Sequence, residues 1–212
     1  IEDLLKICAH RGIKVGILGD DEKCCGDPAR LLGEERLFQE AAQAQLEAIQ
    51  ARTFKAILTT CPHCLNVFRN EYQEFGATFK VLHHTELLRD LLKDPAVKAT
   101  FEGGKRLVFH DPCYLGRYQG QYDAPRAVLD RVASGKRTEM RDHHSRSFCC
   151  GAGGGHYWMD LHSPDRPNNL RVLQASEVGA DTIVTACAYC KQMLDDSVKL
   201  KDLEDKIAVV DI

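Results

Sequence analysis

The paired cysteines constrain this chain more than any other feature. Cys24-Cys25-Gly26 and Cys149-Cys150-Gly151 stand 125 residues apart, and the two C-x-x-C units, Cys61 to Cys64 and Cys187 to Cys190, stand 126 apart. The intervening text repeats as well. Thr53 to Cys61 (TFKAILTTC) matches Gly179 to Cys187 (GADTIVTAC), each an apolar β-rich run closing on Thr-x-Cys. A chain of 212 residues with this self-similarity reads as two related halves. The second half adds Cys113, in the segment LVFHDPCYLGR, so its full pattern is C-x35-C-C-x36-C-x2-C. Shifting Cys113 back by the 125-residue offset gives a position ahead of residue 1. The first half is therefore expected to be an N-terminally truncated repeat whose equivalent cysteine lies upstream. Cys8 is no replacement, because its repeat partner is Ala133.

Composition narrows the context of these thiols. The chain is 44% hydrophobic and 28% charged with a net charge of −3, which offers no basic surface for nucleic acid. No run of 18 apolar residues exists to span a bilayer. Ten cysteines in a chain long enough to bury a core, for which no export signal is expected, point to metal or redox chemistry and not to a disulfide scaffold. A cytoplasmic location is expected, including the cytoplasmic face of a membrane complex.

Each half alternates short β-rich runs with helical patterns, which predicts an α/β fold with a mainly parallel sheet. Strands are expected over Lys14 to Leu18, Phe54 to Thr59, Arg106 to Phe109 and Thr182 to Thr185. Helices are expected over Glu34 to Arg52, over Cys61 to Phe75 and onward from Cys187. Lys93 to Gly104, with Pro95 and Gly103-Gly104, reads as a linker between domains spanning 1–98 and 105–212. In such folds ligands gather beyond the carboxyl ends of the strands. All nine repeat-related cysteines fall there, after a strand or at the following helix start.

Thiolates bind iron–sulfur clusters and zinc. A C-x-x-C at a helix start puts both sulfurs near free backbone N–H groups, which favour the anionic thiolate. Adjacent cysteines chelate one tetrahedral ion poorly but can serve different irons of a cluster. The glycine after each pair allows unusual backbone angles and close approach of amides to sulfur. Two rival readings stay open: a structural zinc site, which needs only four ligands, and a thioredoxin-like dithiol, which leaves the paired cysteines unexplained.

Five longer phrases carry a family resemblance: CCGDPAR (24–30), TTCPHCLNVFRNEY (59–72), HDPCYLGRYQGQYDAPR (110–126), CCGAGGGHYWMD (149–160) and TACAYCKQMLDDS (185–197). The chain resembles the cysteine-rich CCG-domain iron–sulfur oxidoreductases. These include the cysteine-rich iron–sulfur subunit of heterodisulfide reductase and its relatives. The phrases are closer still to the iron–sulfur oxidoreductases associated with electron-transfer flavoprotein. The resemblance implies two doubly wound, Rossmann-like domains in tandem, each able to hold a [4Fe–4S]-type cluster of cubane or noncubane form. By motif, Cys113, Cys149, Cys150, Cys187 and Cys190 would hold the second cluster. Cys24, Cys25, Cys61 and Cys64 would hold the first, with the upstream cysteine. The implied function is electron transfer between a flavoprotein partner and a quinone-linked or disulfide acceptor, with a membrane quinone-reducing part among the partners. Direct cluster-catalysed disulfide reduction and a zinc-stabilised interaction module are the alternatives.

Other candidates read more plainly. Cys8 is expected to be a small buried hydrophobe. His83 and His84 read as structural hydrogen-bonding residues, and His143 and His144 as solvated loop residues. His63 lies inside a C-x-x-C but its counterpart is Tyr189, so it modulates at most. His110, three residues ahead of Cys113, is a candidate for hydrogen bonding at the sulfur site. The Gly151 to Gly155 run lacks the Lys-Ser/Thr ending of a phosphate loop. Tyr157 and Trp158 read as core or interface residues.

Overall fold

A computed structural model describes residues 1–97, 106–133, 137–159, 163 and 165–212. The chain divides into two compact units, Ile1–His84 and Thr85–Ile212.

The first unit is organised around one amphipathic helix. It opens with α1 (Glu2–His10) and a short α2 (Asp27–Leu31), followed by α3 (Glu35–Gln50). Phe38, Ala42, Leu46 and Ile49 fall on one stripe of α3 and are buried. The parallel pair β1 (Ile57–Thr59) and β2 (Val81–His83) aligns Ile57 with Val81 and Thr59 with His83. Between them runs α4 (Pro62–Asn66), which passes into a wider π-type turn, Val67–Glu71, and a tightened turn, Tyr72–Phe75. Aromatic edges close this core, with Phe38 to Phe75 at 5.9 Å and Phe68 to Tyr72 at 5.0 Å between ring centres. Cys8 is fully buried, as expected of a small hydrophobe.

The strand expected over Lys14 to Leu18 does not form. The described sheet of this unit has two strands, and no neighbour offers this segment a ladder. Its apolar side chains stay outside, with Val15 42% and Ile17 75% exposed. A β-rich run without a partner strand gains no hydrogen bonds from being extended.

The second unit starts in α5 (His84–Leu91) and contains a four-stranded, all-parallel sheet. Its strands are β3 (Leu107–Phe109), β4 (Arg137–Thr138), β5 (Thr182–Thr185) and β6 (Ala208–Asp211), in the order β4-β3-β5-β6. Every residue of β3 and β5 is buried, which explains why both read as continuous runs and not as alternating patterns. Helices α7 (Pro167–Glu177) and α8 (Ala188–Leu200) supply Val172, Ala175, Leu194 and Val198 to a core shared with Val108, Ile183 and Val209. The β5–β6 pair repeats the arrangement of β1–β2, with Ile183 beside Val209. The expected linker lies partly outside the described residues, since 98–105 are not among them.

A buried ion pair fastens α6 (Asp123–Val132) to the end of β3. Arg126 Nη1 and Nη2 donate to both carboxylate oxygens of Asp111, at 2.6 and 2.9 Å, and Nε donates to Glu139 at 2.8 Å. Burial pushes the Asp111 carboxyl up, but Arg126 more than offsets it and holds it below the ordinary carboxylate range. Removing one partner of such a pair strands a buried charge. Arg126→Met is expected to cost about 3–5 kcal/mol, read as a lower urea midpoint at unchanged slope. Because the folded Asp111 is depressed, this stability is present above the unfolded carboxylate value. The wild type's advantage should shrink as pH falls below about 4.

Candidate metal centre

The paired cysteines are shaped by the glycine that follows them. Gly26 has φ +86° and Gly151 has φ +85°, a left-handed turn that L side chains rarely adopt. That turn folds the chain back so that its amides face the sulfurs. Gly26 N–H donates to Cys24 Sγ at 3.5 Å, and Gly151 N–H donates to Cys149 Sγ at 3.3 Å. The next amides act in the same way, Asp27 N–H towards Cys25 and Ala152 N–H towards Cys150. Each half therefore presents two neighbouring thiols, each with its own backbone donor.

The C-x-x-C units complete each site. In the first unit Cys61 caps α4, and Cys64 Sγ donates to Cys25 Sγ at 3.4 Å. The Cys61 amide is held by Thr59 Oγ1 at 3.1 Å. The thiols of Cys24 and Cys64 donate to the Cys25 sulfur and pull it down to about 3, while burial opposes them. In the second unit Cys187 caps α8 and Cys190 sits in its first turn. Sulfur contacts run without a break from Cys113 to Cys149, Cys150, Cys190 and Cys187. Cys113 and Cys150 donate to Cys149 and pull it down to about 2, again against burial. Sulfur contacts thus link all five second-half candidates in one line and all four first-half candidates in another.

The surroundings of the two sites differ. Asp27 Oδ2 and His63 Nδ1 lie in hydrogen-bond contact beside the first, 2.8 Å apart. Their counterparts Ala152 and Tyr189 pack against Cys150, Cys187, Cys190 and Met193, together with Tyr157. Tyr157 meets Tyr189 edge-on at 4.8 Å, which places it in the packing expected of it, while Trp158 is exposed. The Cys187 amide donates to the Asp211 carboxylate. Thr185 Oγ1, the counterpart of Thr59 Oγ1, is buried without a hydrogen bond among the described residues. Burial pushes the Asp211 carboxyl up to about 6.

Asp211, Asp27 and Tyr72, whose hydroxyl donates to the Cys25 carbonyl at 3.2 Å, carry no signal in the sequence. Nor does Arg171, whose guanidinium is fully buried within α7. The Arg171 Nε–H donates to His110 Nδ1 at 3.1 Å, so the histidine flagged by its nearness to Cys113 does reach the site's surroundings. Burial pushes His110 down to about 3. His83 and His84 are buried, with rings 4.3 Å apart. His143 and His144 are not simply solvated: both are half-buried, their Nδ1 atoms 2.6 Å apart, and His144 N–H donates to Asp111 at 2.8 Å. The Asp111 carboxylate, itself fixed by Arg126, draws that loop inward.

The donor set fits an iron–sulfur cluster. Five thiols joined in one line of sulfur contacts exceed what one tetrahedral zinc takes, and amides already face the sulfurs. Among the described residues no helix is long and apolar enough to cross a membrane.

Comparison with known proteins agrees with this chemistry. The sequence matches the CCG cysteine-rich domain family over residues 2–69 and 107–195. It is 40% identical over 207 residues to a probable iron–sulfur-binding oxidoreductase, FadF, of Bacillus subtilis, covering 98% of this chain and 29% of that protein. It is 36% identical over 218 residues to the EtfAB:quinone oxidoreductase of Syntrophomonas wolfei, covering 100% of this chain and 30% of that protein. One of the subunits of the dihydromethanophenazine:CoB–CoM heterodisulfide reductase of Methanosarcina barkeri is 33% identical over 210 residues, 95% of this chain and 50% of that polypeptide. The chain thus spans between about a third and a half of the length of these relatives.

The two glycines generate a graded prediction. A Cβ on Gly151 would meet Pro167 at 3.4 Å, an ordinary contact, whereas one on Gly26 would lie 2.7 Å from the Phe38 ring. Gly151→Ala should cost about 1–2 kcal/mol from its left-handed backbone alone. Gly26→Ala should cost more, because a core ring must also move. Urea unfolding of both variants, followed by circular dichroism, checks the order.

Proposed function

The chain belongs to the cysteine-rich CCG family, and from that membership we propose that it is the iron–sulfur electron-transfer part of a larger oxidoreductase. It would take electrons from a flavoprotein-type partner and deliver them to a quinone-linked or disulfide acceptor. The observation that carries this reading is the unbroken line of sulfur contacts through Cys113, Cys149, Cys150, Cys190 and Cys187, with amides facing Cys149 and Cys150. The names of two relatives, an iron–sulfur-binding oxidoreductase and an EtfAB:quinone oxidoreductase, support the same class.

In this proposal each half is a doubly wound, Rossmann-like domain, spanning 1–98 and 105–212, with one [4Fe–4S]-type cluster. Cys113, Cys149, Cys150, Cys187 and Cys190 hold the second cluster, and Cys24, Cys25, Cys61 and Cys64 the first. The bound group supplies one-electron redox chemistry. The protein's part is to hold and tune it. Glycine-turn amides stabilise negative charge on sulfur, and the Met193, Tyr157 and Tyr189 side chains limit water at the second site. A cytoplasmic position, on the face of a membrane complex with a quinone-reducing part, follows from the same reading.

A second reading, direct disulfide reduction at one cluster, is favoured by the likeness to a component of a heterodisulfide reductase. Turnover of a small disulfide by the isolated, reduced chain would select it over electron relay.

The deciding measurement is an absorption spectrum of anaerobically purified chain, with iron, sulfide and zinc quantified together. A brown protein that bleaches with dithionite and carries about four irons per occupied site is expected. Cys150→Ser should remove iron from the second site, and Cys25→Ser from the first, which counts the sites independently. A colourless protein holding stoichiometric zinc would sink the electron-transfer reading.

A further inference from the structure

His110 and Arg171 form a buried pair that the cysteine pattern does not require. Both are 0% exposed. The Arg171 Nε–H donates to His110 Nδ1 at 3.1 Å, while Nη1 donates to the Asp142 carbonyl at 2.5 Å and to Gln174 Oε1 at 2.7 Å. Among the described residues two atoms of this pair have no hydrogen-bond partner, His110 Nε2 and Arg171 Nη2. A ring nitrogen of His110 and the sulfurs of Cys150 and Cys190 lie within 4.8 Å of one another.

These distances alone would allow His110 to be a metal ligand. The proton inventory argues otherwise. A guanidinium nitrogen is only a donor, so Nδ1 must offer its lone pair to Arg171. A neutral imidazole has a single N–H, which is then on Nε2. That nitrogen has no lone pair to give a metal, and its buried proton lacks an acceptor. A buried donor without a partner is costly, and sulfur is the acceptor chemistry beside it.

We infer that His110 is a fixed hydrogen-bond donor to the sulfurs of the second cluster, locked in its Nε2–H form by Arg171, and not a ligand. Arg171 is a positioning residue with a second effect. No carboxylate among the described residues accepts a hydrogen bond from it, so its buried cation lacks a contact counter-ion. An anionic cluster beside Cys150 and Cys190 supplies that charge. Both effects stabilise the more negative, reduced state and raise the reduction potential.

The inference rests on the iron–sulfur reading, so the test separates the two. Nitrogen-15 NMR of the metal-free full chain reads the His110 tautomer with no cluster present, and the Nε2–H form is expected. In the loaded chain, His110→Leu removes the donor and is paired with His110→Gln, whose amide keeps an N–H at similar reach. His110→Leu should keep the wild-type iron count while its reduction equilibrium falls about tenfold, 59 mV for one electron. His110→Gln should recover most of that shift. Potentials are read by redox titration followed by electron paramagnetic resonance. An Nδ1–H tautomer, an unchanged potential in His110→Leu, or loss of iron with an altered resonance signal would each overturn the inference, the last by making His110 a ligand. If His110→Leu does not fold, the Gln variant and the tautomer decide. Absence of iron from the wild-type chain would fail the proposed function itself, leaving the tautomer as a separate result.

Discussion

A left-handed glycine after two adjacent cysteines is the constraint on which both sites depend. Adjacent side chains in a strand point to opposite faces, and in a helix they diverge by about 100°. Neither conformation lets neighbouring thiols share one site with amides behind them. The turn at Gly26 and at Gly151 does so by reversing the chain at once, so that the amide two residues on from each cysteine faces that cysteine's sulfur. The third element of each site arrives from far along the chain, on the helix that follows β1 or β5, and only the parallel sheet holds it in place.

The same scaffold supports two electrostatic settings. The first site has a carboxylate–imidazole pair, Asp27 with His63, where the second has Ala152 and the Tyr189 ring. The start of the C-x-x-C is tied by a neutral hydroxyl in one half and by the Asp211 carboxylate in the other. A charge near a low-dielectric sulfur site acts more strongly than the same charge in water. The two halves are therefore related in backbone and distinct in their charged surroundings.

The second unit also buries an unusual set of ions behind its strands. Arg126 is matched by Asp111 and Glu139 through direct contacts, an arrangement that ties α6, β3 and the His144 loop together. Arg171 meets instead a carbonyl, an amide oxygen and an imidazole, all neutral. A fold that pairs one buried cation with carboxylates and leaves another facing neutral groups beside five thiols has separated a structural charge from one available to the site.

The repeat, the nine cysteines, the parallel α/β character and most helices are legible in the sequence, because each depends on local spacing and pattern. Continuous apolar runs mark β3 and β5, and alanine-rich periodicity marks α3. Lys14 to Leu18 has the composition of a strand without being one, since a β-rich run becomes a strand only when another lies beside it. The half-burial of His143 and His144 leaves no trace in the sequence, because Asp111 reaches them across 33 residues of chain. Residue identity and spacing single out nine thiols as candidate ligands and show that their pattern occurs twice. What stands behind those atoms is settled by folding alone: Arg171 against His110, Asp211 against Cys187, Asp27 against His63. Those contacts join residues far apart along the chain, and their energies depend on burial and distance, which no local pattern of residues encodes.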